Sequence, residues 1–184
     1  IVVTALQSLA PLTEGRSLAS ITDNMGTFWR ESGIEIDEVY TGSLERQIQT
    51  AEGCGETYAS NDRHWPEIEI KEGLNEYHSD MVMDKLKPEL THKYVQVRRL
   101  YNDYSAATDD RQRYSAFHRL LEVVMQYYIA GNYESTGFET WQEFHDRVTN
   151  AFTAIRNQGG SGRCVAIFTS GGPIGVSVQS CLKA

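Results

Sequence analysis

The chain has 184 residues, 40% of them hydrophobic and 23% charged, with 15 glycines and 4 prolines, which suits one globular domain with a substantial core. Its formal net charge of -8 argues against general binding of nucleic acid or anionic membranes, although positive charge concentrated at one place can still hold a phosphate. No apolar run approaches the ~18 residues of a membrane span, and Ile1-Val2-Val3-Thr4 is too short, and lacks the basic lead-in, for a signal-peptide core.

Ile1 to Thr4 reads as a short buried strand. Leu12 to Glu31 has helical periodicity, with Thr13 and Glu14 placed near its start and Gly33 after its end. Ile36 to Thr41 is the next predicted strand and Ser43 to Ser60 the next helix. His64 to Ile70 alternates enough for a third strand, and Lys71-Glu72-Gly73 turns the chain. Met81 to Ala130 is charged, aromatic and largely helical, which predicts two or three helices around the Asn102–Asp110 region. Asn132 to Gly137 reads as a loop. Phe138 to Asn157 reads as a helix, because Phe138, Trp141, Phe144, Val148, Phe152 and Ile155 share one face.

The final segment is the most informative. Val165 to Phe168 is a continuous apolar run, short enough for a buried parallel strand. Thr169-Ser170-Gly171-Gly172 breaks it, and Pro173 suits the first position of a new helix. A strand ending in small residues and opening a helix leaves several backbone N–H groups unpaired, with the positive end of the helix dipole behind them. Such a corner favours an anion. Val39 to Ala51 repeats the strand–loop–helix layout and places Arg46 on the first turn of its helix. A guanidinium there offers a planar fork for phosphate.

Strands alternating with helices predict an α/β fold: a three-layer sandwich with a largely parallel central sheet covered on both faces. The stretch of about 78–136 is a helical cap insertion in this single domain, expected over the carboxyl ends of the strands, where ligands bind in such sheets. The aromatic stripe of Tyr94, Leu100, Tyr101, Tyr104, Phe117, Leu121 and Tyr128 is read as its packing. Cys54, Cys164 and Cys181 lack a metal-ligand spacing and are expected as reduced, buried thiols of a cytoplasmic protein.

Several stretches together resemble the histidine phosphatase superfamily, the phosphoglycerate-mutase-like proteins. Gly42-Ser-Leu-Glu-Arg-Gln-Ile-Gln-Thr-Ala51 is similar to its second signature. Leu12-Thr-Glu-Gly-Arg16 resembles the start of its first helix, and Gly73-Leu-Asn-Glu-Tyr-His-Ser-Asp80 the segment with its acidic residue. Glu139 to Val148 resembles the helix pattern before the last active-site loop, and Phe168-Thr-Ser-Gly-Gly172 resembles that loop in one branch of the superfamily. These stretches fall in the family's order and span nearly the whole chain.

The resemblance implies hydrolysis of a phosphomonoester through a phosphohistidine. In that family a histidine within Arg-His-Gly takes the phosphoryl group, cations hold it, and a carboxyl group protonates the leaving oxygen; those residue types suit this chemistry. By position, Arg46 is the phosphate clamp and Glu76 the acid. Ser170 stands where the second histidine would, and Ser170 with Gly171 would donate to phosphoryl oxygens. Ser43, just before the helix of Arg46, is expected to support the pocket. The partner implied is a small-molecule phosphomonoester, with no metal or other cofactor. A homodimer is compatible with the sequence, which fixes no oligomeric state. Mutase (isomerase) activity would require a second phosphate to be retained, and no added basic cluster adjoins these motifs.

One departure opens an alternative. Thr4 runs into Ala5-Leu6-Gln7-Ser8, and no Arg-His-Gly follows the first strand. Either residues are missing between that strand and Leu12 or the nucleophile is lost; loss would make the chain a non-catalytic phosphate-ligand binder or interaction protein. Other chemistry finds less support. Phe168 occupies the first glycine position of Gly-x-Ser-x-Gly, against Ser170 as a hydrolase nucleophile. Gly53-Cys54-Gly55 follows no strand and lacks a third glycine, so it is no dinucleotide fingerprint. His78 is read as capping a turn, and His64, His92, His118 and His145 share no metal-binding pattern.

Overall fold

In the computed structural model, which describes residues 2–5, 18–60, 63–131, 133 and 137–182, the chain runs β1 (Val2–Ala5), α1 (Leu18–Glu31), β2 (Glu38–Thr41) and α2 (Glu45–Tyr58). β3 (Ile68–Ile70), a 3-10 turn (Glu72–Leu74), α3 (Ser79–Lys93), α4 (Val95–Ala106) and α5 (Asp110–Ala130) follow. α6 (Trp141–Asn157), β4 (Val165–Thr169) and α7 (Gly171–Leu182) complete it. The expected helix start at Leu12–Glu14, the family-like stretch Leu12–Arg16 and most of the expected Asn132–Gly137 loop lie outside the described residues.

The fold is α/β. Four described strands form a parallel sheet in the order β1-β4-β2-β3. Val165–Thr169 is buried at every position, as a central strand covered on both faces must be. Alternation sorts its side chains. Ala166 and Phe168 join Val39 of β2 under Trp29 of α1 and Ala51, Cys54 and Tyr58 of α2. Val165 and Ile167 join Tyr40 on the other face, with Leu74, Ile155 and the α6 residues Ala151 and Phe152.

Several boundaries differ from the sequence reading, each for a physical reason. β3 covers Ile68–Ile70 alone, not His64–Ile70. Pro66 has no N–H for the ladder, and Trp65 leaves the sheet to lie against Trp29, Tyr58 and Phe168, with ring centroids 5.2–6.3 Å apart. α6 starts at Trp141, so Phe138 precedes it and stacks on Tyr133 instead. Phe144, Val148 and Ile155 carry the buried face. α7 begins at Gly171, two residues before the expected start at Pro173. Pro173 fits the third position equally well, because none of the first four N–H groups has an intrahelical partner. Of the cysteines only Cys54 is buried; Cys164, just before β4, is half-buried, and Cys181 on the last turn of α7 is exposed, which corrects the expectation for both.

The chain divides into two compact units, Ile1–Glu76 with His145–Ala184, and Tyr77–Phe144. In the second unit α3, α4 and α5 pack around Val82, Leu86, Leu90, Val97, Leu120, Val124 and Tyr128. Asp109 caps α5 by accepting from the Gln112 N–H at 2.8 Å, and Gly131 closes it with a φ of 69°. Tyr101 is exposed rather than packed, with the Lys87 ammonium over its ring. Among the described residues no helix is long and apolar enough to cross a membrane.

Candidate functional site

Strand order brings the two anion-favouring corners together. β2 and β4 are parallel neighbours with Thr41 opposite Phe168, so the segments leaving their carboxyl ends start side by side. β3 lies on the other side of β2. The Lys71 N–H donates to the Thr41 carbonyl at 2.7 Å and brings the segment 71–76 to the same edge. Ligands bind at this edge of open parallel sheets.

Arg46 and Ser170, 124 residues apart, meet there. Arg46 Nη2 donates to Ser170 Oγ at 3.2 Å. Gln47 Nε2 donates to the same oxygen at 2.9 Å and to the Leu74 carbonyl at 3.3 Å. Ser170 is 1% exposed and Gln47 3%, whereas Arg46 is exposed, so the guanidinium faces solvent from one side of a buried polar cluster. Thr169 Oγ1 donates to the Leu74 carbonyl at 2.5 Å, which ties the end of β4 to the 3-10 turn. Ser170 precedes α7, and its carbonyl accepts the first helical bond, from the Ile174 N–H at 3.2 Å. Gly171 and Gly172 therefore supply first-turn amides.

Glu76 reaches the same helix start. The Gly172 N–H donates to Glu76 Oε2 at 3.0 Å. A carboxylate at a helix N-terminus is favoured by the unpaired amide and by the dipole. Its segment is held from below by Arg147 of α6, whose Nη1 donates to the carbonyls of Glu72, Gly73 and Asn75 at 3.1–3.2 Å. Close approach needs glycine at Gly73, and at Gly42 a larger residue would push aside the ends of two side chains. A Cβ on Gly73 would lie 2.6 Å from the Ala151 Cβ, and one on Gly42 would collide with the Gln47 and Asn75 side chains.

Ser43 is bound in a pair rather than free. Its N–H donates to Asn75 Oδ1 at 2.7 Å, and its Oγ accepts from Asn75 Nδ2 at 2.8 Å. It thus joins the β2–α2 corner to the segment of Glu76.

Arg46, Ser170, Gly171, Glu76 and Ser43 all lie along this one edge. Four side chains that contribute escaped the sequence reading: Gln47, Asn75, Thr169 and Arg147. A glutamine beside an arginine on a first helical turn looks solvated. The only available signal was its place beside Arg46 in a helix that must cover a sheet. None of the hydrogen bonds joining Arg46, Gln47, Ser170, Glu76 and Gly172 involves a histidine. Among the described residues no group of three or more His, Cys, Asp or Glu could hold a metal ion. Neither a protein family model nor a curated protein matches the chain.

Proposed function

We propose that the chain is a phosphomonoester hydrolase of the histidine phosphatase type, phosphoglycerate-mutase-like, on a three-layer sandwich with the insertion of about 78–136 as its cap. The observation that carries this reading is the 3.2 Å bond from Arg46 to Ser170, which joins the corners after β2 and β4. Arg46 clamps the phosphoryl group from its exposed side. Ser170 and the amides of Gly171 and Gly172 donate to its oxygens, which stabilises the charge that develops there. The ester P–O bond breaks as a histidine nitrogen bonds the phosphorus, Glu76 gives a proton to the leaving oxygen, and water then cleaves the phosphohistidine to release phosphate. Arginine and backbone donors supply the charge stabilisation without a metal. The substrate is a small phosphomonoester, and the protein acts in the cytoplasm.

A specific observation favours a second reading. The imidazole that would receive the phosphoryl group in an Arg-His-Gly segment has no counterpart in Thr4-Ala5-Leu6-Gln7. With no such nucleophile, the same donors make a non-catalytic binder of phosphate ligands.

Turnover separates the two. A phosphatase hydrolyses p-nitrophenyl phosphate without added metal and yields an acid-labile, base-stable phosphoprotein. A binder is protected by phosphate against thermal unfolding and shows neither. Both readings require Arg46→Ala to abolish phosphate protection; unchanged protection in that variant refutes the site itself.

A further inference from the structure

We propose that Gln47 is a positioning residue that makes Ser170 a pure hydrogen donor towards the bound phosphoryl group. This rests on the reading of the site as a phosphate pocket. A hydroxyl has one hydrogen and two acceptor lone pairs. Arg46 Nη2 and Gln47 Nε2 can only donate, and together they fill both lone pairs of Ser170 Oγ, at 3.2 and 2.9 Å. The Ser170 hydrogen must then point away from both. Among the described residues it has no acceptor, although Ser170 is 1% exposed. An anionic oxygen placed before α7 would complete it.

The orientation of the Gln47 amide follows from its second bond. Nε2 also donates to the Leu74 carbonyl at 3.3 Å, and the opposite setting would turn Oε1 towards that carbonyl oxygen. The amide is therefore fixed with a donor towards Ser170. This arrangement leaves Gln47 Oε1 buried without a partner among the described residues. Buried polar atoms are nearly always paired, so this open acceptor is a cost that the fixed orientation of the amide carries. Gln47 follows Arg46 directly on the first turn of α2, so consecutive residues address one hydroxyl from two sides. If the amide were lost, Ser170 could rotate to other acceptors and its hydrogen would no longer be held towards the ligand.

The test is a double-mutant cycle on the dissociation constant of orthophosphate, read by calorimetry and by thermal protection. Gln47→Met and Ser170→Ala should each weaken binding about tenfold, the scale of one hydrogen bond to a charged group. The double variant should be no weaker than the weaker single variant, because Gln47 acts only through Ser170. A merely structural role would shift the unliganded melting temperature without this non-additivity. Gln47→Leu serves as the second variant should Gln47→Met not fold. Losses that multiply to about a hundredfold, or unchanged binding in Gln47→Met, overturn the inference while leaving the phosphate site standing. If the wild-type protein does not bind orthophosphate, the reading of the site falls and the inference with it.

Discussion

The Gly172 N–H donates to Glu76 Oε2 at 3.0 Å, so a carboxylate from the segment after β3 already occupies a first-turn amide of α7. In the proposed reaction a phosphoryl group seeks the same amides, and like charges brought together at one helix start repel. Glu76→Gln keeps the shape and removes the charge. It should tighten orthophosphate binding by roughly threefold to tenfold at neutral pH, as expected for one partly screened charge. Hydrolysis of an alkyl phosphate should slow far more than that of p-nitrophenyl phosphate, whose leaving group needs no proton. Equal slowing of both substrates would remove Glu76 from the role of acid. Weaker phosphate binding would show that the carboxylate does not compete.

Glu76 is placed by its supports. Arg147 Nη1 holds the carbonyls of Glu72, Gly73 and Asn75, and Gly73 lies against α6 so closely that an added Cβ would sit 2.6 Å from the Ala151 Cβ. Gly73→Ala should therefore destabilise the protein by about 1–3 kcal/mol, the usual cost of overpacking. Ala151→Gly opens the space at a helix-propensity cost of about 1 kcal/mol. The double variant should be more stable than the two single losses predict when added. Urea unfolding midpoints decide it: strict additivity would mean the two residues do not share this contact.

The strand–corner–helix units were legible because their signals are local. The apolar run Val165–Phe168 forms a central strand, and Arg46 and Ser170 stand at positions the phosphatase resemblance also marks. That these corners meet depends on β4 lying beside β2, an adjacency that no local pattern encodes. The bond from Gly172 to Glu76 spans 96 residues and was equally hidden. Pro66 carried a readable warning that β3 would be short, since proline interrupts a ladder. Gln47 offered only its place beside Arg46, because its burial is decided by Leu74 and Ser170, which approach from other elements.

The start of α6 carries a reciprocal cap whose strength varies with pH. The Thr140 N–H and Oγ1 both donate to Glu143 Oε2 at 2.8 Å, and the Glu143 N–H donates back to Thr140 Oγ1 at 3.2 Å. The backbone bond first, and the hydroxyl bond second, hold the Glu143 carboxyl below its ordinary value. A depressed carboxyl stabilises the fold above its unfolded-state value, and that contribution is lost as pH falls through the folded one. An NMR titration should find Glu143 below a free glutamate, with Thr140→Ala raising it. An unchanged value in that variant would assign the shift to the backbone alone.

Thr41 ends β2 immediately before Gly42, and its side chain is fully buried with Oγ1 unpartnered among the described residues. Its backbone carbonyl is engaged by the Lys71 N–H at 2.7 Å, so the main chain there is secured independently of the hydroxyl. Burying a hydroxyl without a partner costs about 1–3 kcal/mol. Valine has nearly the same shape, is equally β-branched for a strand, and removes the polar atom. Thr41→Val should therefore stabilise the protein, by about 1 kcal/mol after allowance for imperfect packing of the new methyl group. The change should appear as a higher urea midpoint at an unaltered denaturant slope, since compactness is not affected. Phosphate protection should be retained, because no hydrogen bond runs from Thr41 Oγ1 to Arg46 or Ser170. A loss of stability in Thr41→Val would mean that Oγ1 has a bridging water in solution, and a polar occupant of this corner would then have to enter the account of how Gly42 is placed.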